Sequence, residues 1–172
     1  MVNQIDSPEQ YPDSPIDIDT SSTRLTFDQV KTLVEQNNNT GKLRDTVQVS
    51  TELLLCQIWK ESGFNPTAKN PGSTATGLMQ ITEGAVVDVN KNTPHGVHFE
   101  HTEMTDPQKN VACATYYLGL KIRQAKKDIK KALEHYGTGI GYADNILICE
   151  SCLRGGSTNP KTCLTPIHPI LP

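Results

Sequence analysis

Strong charge of either sign is missing from this 172-residue sequence: 16 Lys and Arg stand against 19 Asp and Glu, a net of −3, with 20% of residues charged. That excludes the broad basic footprint of a nucleic-acid binder. No apolar stretch is long enough to span a bilayer, so no membrane anchor is expected. Internal repeats and heptad arrays are also absent, which excludes solenoids and long coiled coils. Nor does a basic segment followed by an apolar run open the sequence. No ordinary secretory signal peptide is expected, and export would need another route.

What acidity there is lies at one end. Residues 1–24 hold Asp6, Glu9, Asp13, Asp17 and Asp19 against the single base Arg24, a net of −4 that leaves +1 for the remainder. Pro8, Pro12 and Pro15, several serines and little helical periodicity make this stretch read as a flexible acidic arm. The expected organisation is therefore an arm over 1–24, one domain over 25–153, and a Gly-, Pro- and Ser-containing tail over 154–172 packed on it. A nearly neutral domain implies no strong electrostatic steering of an anionic polymer.

From Thr26 the apolar spacing and the capping residues predict an all-α chain. Thr26-Phe27-Asp28-Gln29 has the form of a capping box, with Val30, Leu33 and Val34 on one face, and predicts a helix over 26–36. A second is expected over 46–62, ended by Gly63 and Pro66, and a short one from Gly77 or Leu78. Asp106 as N-cap and Pro107 at the first helical position start a long helix over 107–126. Asp128 caps another over 129–136, and a last one is expected over 141–153.

This arrangement leaves Glu61 in the final turn of an apolar helix. A carboxyl group held against apolar side chains has its charged form disfavoured and its pKa raised, which is what protonating a leaving alcohol near neutral pH requires. Taken alone, a glutamate at a helix end is an ordinary surface residue. Four blocks in order change that reading: Glu61-Ser62-Gly63-Phe64-Asn65-Pro66 with Ala68; Ala75-Thr76-Gly77-Leu78-Met79-Gln80-Ile81-Thr82; Asp106-Pro107 with Asn110 and Tyr117-Leu118; and Ala132-Leu133 with Tyr136-Gly137-Thr138-Gly139. From Val47 to Tyr142 the chain resembles the lysozyme-like superfamily of soluble lytic transglycosylases and goose-type lysozymes.

The resemblance implies a lysozyme-like helical domain with a substrate cleft, acting on the β-1,4 bond between N-acetylmuramic acid and N-acetylglucosamine in peptidoglycan without a cofactor. Glu61 is then the catalytic acid, and Ser62, Gln80 and Tyr136 are the substrate-binding candidates. Three positions depart from the family pattern. His135-Tyr136-Gly137-Thr138-Gly139 stands where Ala-Tyr-Asn-Ala-Gly is usual, Glu83 where a proline commonly follows the glutamine block, and Asn70 where many members carry serine. Glu83 is thereby a possible second carboxylate, and the reading leans to hydrolysis, a muramidase. The alternatives are a lytic transglycosylase forming 1,6-anhydro products in a phage, conjugation or housekeeping setting, and a non-catalytic glycan-binding module.

Five cysteines remain. A disulfide between Cys163 and either Cys149 or Cys152 is expected, because a bridge within one helix at i, i+3 strains disulfide geometry, while Cys56 and Cys113 read as buried apolar fillers. Cys149, Cys152, Cys163 and His168 have the ligand types of a zinc site, but one CxxC with an irregular second half is weak and no metal is expected. Asp88-Val89-Asn90-Lys91-Asn92 with Glu100 misses the spacing of a calcium loop and reads as a polar loop. His95, His98 and His101 read as solvent-facing. Cell-wall chemistry without a leader further suggests an antibacterial effector of the kind carried by type VI secretion, acting in the periplasm of a rival cell. Its producer would then need a periplasmic inhibitor that occludes the Glu61 cleft.

Overall fold

The computed structural model describes residues 24–93, 96–137 and 140–164. Among them are eight α-helices: α1 (Phe27–Asn38), α2 (Gly41–Thr46), α3 (Thr51–Ser62), α4 (Glu83–Asn92), α5 (Pro107–Gln124), α6 (Ile129–Tyr136), α7 (Tyr142–Arg154) and α8 (Pro160–Leu164), with one 3-10 turn at His101–Glu103. Extended pairing is limited to two isolated bridges, Lys69 with Thr76 and Thr76 with Ile81. Of the expected arm, only Arg24 is among the described residues. Its guanidinium donates to the carbonyls of Ser62 and Gly63, at 3.3 and 2.7 Å, and so belongs to the end of α3.

Local chemistry starts most of these helices. The Thr26 hydroxyl accepts from the Gln29 N–H while the Gln29 side chain takes the Thr26 N–H, a complete capping box. Asp106 accepts from Gln108 and Lys109 ahead of Pro107, and Asp128 accepts from the Lys131 N–H. Each satisfies N–H groups that a helix start leaves without a partner. α3 is capped at Ser50, whose hydroxyl accepts from the Leu53 N–H, and stops at Gly63, whose φ of +59° ends the helix in left-handed backbone.

Helix α5 runs through the interior, with Val111, Ala112, Cys113, Ala114, Leu118 and Ile122 buried. Around it pack α1, α2, α4 and α6. The most extensive helix–helix contact is between α3 and α7, and α8 covers both. Leu53, Leu54, Leu55, Cys56, Gln57 and Ile58 are all buried in α3. The helix that carries Glu61 is therefore fixed on several sides by apolar burial, the dominant stabilising term in a domain of this size.

Several expectations are corrected. No helix begins at Gly77 or Leu78; residues 77–81 form a tight turn and α4 starts at Glu83, capped by Thr82. The turn prevails because Gly77 has φ +81° and Gln80 φ +49°, and because Thr76 and Ile81 exchange backbone hydrogen bonds of 3.1 and 3.0 Å. Asp88 to Asn92, read as a polar loop, is the second half of α4, buried through Val89. The short helices α2 and α8 were not expected at all.

The cysteines differ in part: the expected bridge of Cys163 is present, to Cys152, but there is a second bridge. Cys152 pairs with Cys163, which pins α8 to α7, whereas Cys149 pairs with Cys56 and ties α7 to α3. Cys56 is thus a bridge partner rather than an apolar filler, because packing of α3 on α7 brings its Cα within 5.9 Å of that of Cys149. Only Cys113 is free, and it is buried. Three of the four zinc-type ligands are consumed by disulfides, and His168 lies outside the described residues, as do His95, Thr138, Gly139 and the tail beyond Leu164.

Alkylating the denatured, unreduced protein should therefore modify one cysteine, read by mass. The Cys56–Cys149 bridge spans 93 residues, for which chain entropy suggests roughly 4.5 kcal/mol. The double substitution Cys56→Ala, Cys149→Ala should lower stability in urea by several kcal/mol, more than removing the bridge that spans only 11 residues. An equal or reversed ranking would contradict that assignment of strength.

Candidate active site

Glu61 occupies the last full turn of α3 and opens onto a groove of about 680 Å³, lined also by Trp59, Lys60, Ser62, Asn65 and Gln80. Burial pushes its carboxyl up from 4.5 to about 7, against the opposing pull of a hydrogen bond from Tyr142 and of the neighbouring Lys60 charge. Position works in the same direction as burial, since the carbonyl end of a helix disfavours an anion. At neutral pH a substantial fraction of Glu61 therefore carries a proton.

The hydroxyl of Tyr142, at the start of α7, donates to Glu61 Oε1 at 2.6 Å. Behind it the Gln57 amide, fully buried in α3, donates to the Tyr142 oxygen at 3.2 Å. Sequence reading assigned neither residue a role. One signal was present for Gln57: it is the lone polar residue in the apolar run from Leu53 to Ile58, four places before Glu61 and hence on the same helical face. Tyr142 had no local signal.

Tyr142 also accounts for a departure from the family pattern. A Cβ at Gly137, the position where the family usually has asparagine, would lie 2.4 Å from the Tyr142 ring. No real Cβ contact is that short, so the glycine makes room for the ring that reaches Glu61. The missing amide and the Glu61 partner are thus one structural arrangement.

Met79 and Gln80 are held by a residue distant in sequence. Asn110, completely buried in α5, accepts from the Met79 N–H at 2.9 Å and donates to the carbonyls of Thr76 and Met104 at 2.9 and 2.8 Å. A Cβ at Gly77 would strike the Met104 carbonyl and the Asn110 amide at 2.1 and 2.3 Å, so the backbone can pass only without a side chain. Gln80 lines the groove and donates to the carbonyls of Ala68 and Gly77, both at 3.1 Å. Its amide donors are used internally, and its Oε1 is the atom left to accept from a ligand.

The other expected site residues fall differently. Ser62 lines the groove, but its hydroxyl donates back to the Ile58 carbonyl at 3.1 Å. Tyr136 is not among the residues lining the groove; its hydroxyl donates to the Met79 carbonyl at 3.0 Å and its ring meets Tyr117 edge-on at 5.3 Å. Burial and the nearby Glu61 hold its phenol well above the usual range. It supports the glutamine turn rather than presenting a free donor. Glu83 is exposed in the first turn of α4 and does not line the groove.

None of the other carboxylates considered as a partner lines the groove either. Asp106 caps α5, Glu103 pairs with Lys109, Glu100 pairs with His98, and Asp88 lies on α4. Among the described residues, Glu61 is the one carboxylate in the groove. A second hollow of about 340 Å³, bounded by Val89, Tyr116, Leu120 and Arg123, contains no carboxylate and shares no residue with it. No group of three or more His, Cys, Asp or Glu among the described residues is placed to hold a metal. No described helix is long and apolar enough to cross a membrane.

Comparison with known proteins places these elements in context. The family model described as the transglycosylase SLT domain matches residues 38–147. A solved complex of the 70-kDa soluble lytic transglycosylase with bulgecin A is similar at 22% sequence identity, with a TM-score of 0.49, over 69% of this chain and 20% of that one. The match thus spans about a fifth of that protein's length. Curated proteins yield no match.

The raised Glu61 carboxyl has a consequence for stability with a definite sign. Below about pH 4.5 the group is protonated in both folded and unfolded chains and contributes nothing. Above that, the unfolded chain ionises first, so stability falls as pH rises towards and through about 7. Glu61→Gln should therefore unfold at a higher temperature than the parent at pH 8, with the gap closing by pH 4.5. A gap that widens on acidification would show that the carboxyl is held as the anion instead.

Proposed function

The chain belongs to the transglycosylase SLT domain family, and from that premise we propose that it is a lytic transglycosylase acting on the β-1,4 bond between N-acetylmuramic acid and N-acetylglucosamine in peptidoglycan. Among the described residues the architecture is all-α, as expected. The observation that carries the finer reading is that Glu61 is the one carboxylate among the described residues lining the groove, held partly protonated near pH 7. Glycosidases that use water generally need two carboxyl groups, ~5–5.5 Å apart for retention or ~6.5–9.5 Å for inversion. The exposed position of Glu83 does not favour it as the partner, and this moves the preference from hydrolysis to the anhydro route.

In this mechanism Glu61 first gives its proton to the bridging oxygen as the bond to C1 breaks, and the alcohol of the next sugar leaves. The carboxylate so formed then takes the proton from the 6-hydroxyl of the muramic acid residue while that oxygen bonds to C1. Glu61 ends as it began, and no water is consumed. The acetamido group of the substrate stabilises C1 in the interval, which replaces a second protein carboxylate. Trp59 and the Gln80 Oε1 on the groove wall offer an apolar ring and an acceptor for the sugar.

Glu61→Gln keeps the shape but cannot donate, so muropeptide release from purified sacculi should fall by at least ~100-fold with the fold intact. Parent activity should decline above about pH 7 as the acid ionises. The products should be one water lighter than the hydrolytic ones, carrying a 1,6-anhydro ring. Reducing-end muramic acid would restore the muramidase reading, and no release at all would favour a glycan-binding module.

Two disulfides suit an oxidising compartment, where peptidoglycan lies. Within that setting we place the chain as an antibacterial effector that acts in the periplasm of a rival, with a cognate inhibitor entering the open groove at Glu61. Expression with an added periplasmic signal should lyse a susceptible cell, whereas cytoplasmic expression should not. Harmlessness in the periplasm would refute the effector role and leave the glycan chemistry untouched.

A further inference from the structure

Gln57 is a conspicuous component of α3. It is completely buried, and its Oε1 has no hydrogen-bond partner, although its Nε2 donates to Tyr142. An apolar side chain of the same length would avoid leaving a buried acceptor unsatisfied, so this residue costs stability where it stands. Such a residue calls for a role in the site it borders.

We propose that Gln57 is a positioning residue: by donating to the Tyr142 oxygen it directs the Tyr142 hydroxyl to Glu61 Oε1, and so places the transferable proton of Glu61 on Oε2. The inference rests on Glu61 being the catalytic acid. An amide N–H has no acceptor capacity, so the tyrosine hydrogen cannot turn back towards it and is committed to Glu61 at 2.6 Å. Oε1 then accepts in both protonation states. The neutral acid carries its proton on the other oxygen, where it is not lost in an internal hydrogen bond to Tyr142.

Without the amide, the tyrosine oxygen becomes free to accept, and neutral Glu61 can turn its proton inward onto it. That arrangement is idle for catalysis. With a carboxylate at position 57 the tyrosine would donate away from Glu61, and the inward arrangement would dominate. The ionisable groups that bear on Glu61 are Lys60 on α3, Tyr142 on α7 and Tyr136 on α6, the last itself facing Tyr117 and Cys113 of α5. Of these only Tyr142 is a hydrogen-bond partner of Gln57, whose amide favours its ionised form, so changes at Gln57 reach Glu61 through that hydroxyl.

The test compares Gln57→Met, which keeps length and volume, with Gln57→Glu in the full chain, using soluble peptidoglycan fragments as substrate. Gln57→Met should lower kcat by roughly five- to tenfold, the scale of one hydrogen bond, with KM unchanged. Gln57→Glu should lower kcat further. In both variants the basic limb of the pH–rate profile should move to higher pH, because a donor that favours ionised Glu61 has been weakened or withdrawn.

A parent-like kcat and limb in Gln57→Met would overturn the proposal. So would a fall in kcat that tracks melting temperature with the limb unmoved, or failure of both variants to fold, since each marks Gln57 as structural. Glu61→Gln keeps the two levels distinct: if that variant is inert while Gln57→Met is parent-like, only the positioning role fails. If Glu61→Gln remains active, the catalytic reading fails with it.

Discussion

The carboxyl group of Glu61 is taken partly out of water at the carbonyl end of a helix, and the surrounding structure serves to hold it there. A buried carboxylate is costly, and that cost falls on the ionised form, which is why the proton stays until a leaving oxygen can take it. Helix α3 can present the group in this way only because it is anchored below and beside. It has an almost wholly apolar run from Leu53 to Ile58, a disulfide from Cys56 to α7, and a glycine stop at Gly63 tied by Arg24.

From that constraint the support behind Glu61 follows. Tyr142 reaches Glu61 from α7, and α7 is the helix to which α3 is both packed and cross-linked. Its ring occupies the space over Gly137. On the other side Asn110 uses its whole carboxamide to fix the turn that carries Gln80, and the Tyr136 hydroxyl takes the Met79 carbonyl of the same turn. Glu61 and the turn that carries Gln80 are thus each held by hydrogen bonds from residues outside the groove, which suits chemistry that depends on exact placement.

Much of this was readable in the chain, and the boundary has physical causes. Helix starts at Thr26, Asp106-Pro107 and Asp128 were legible because capping is local: donor and acceptor lie within three residues of each other. The placement of Glu61 in a final helical turn was legible for the same reason, with Gly63 as the stop. The turn at 77–81 was not, since its geometry is decided by Asn110 some thirty residues later. Nor was the Cys56–Cys149 pair. Periodicity puts Cys149 and Cys152 near one face of α7, but which of them meets α3 depends on how the two helices cross. Tyr142 and Gln57 escaped notice because their meaning appears only when α3 and α7 are side by side.

The central claim is that Glu61 is an acid kept protonated by its surroundings, and the most direct test is to watch that group titrate. With glutamate labelled by carbon-13 at the side-chain carboxyl, the resonance missing from Glu61→Gln identifies Glu61, and its shift can be followed against pH in the folded protein. A midpoint near 7 is what the structure predicts. A midpoint near the ordinary value of 4.5 would mean the carboxyl is charged at neutral pH, and the account of this groove as a proton-donating site would be wrong.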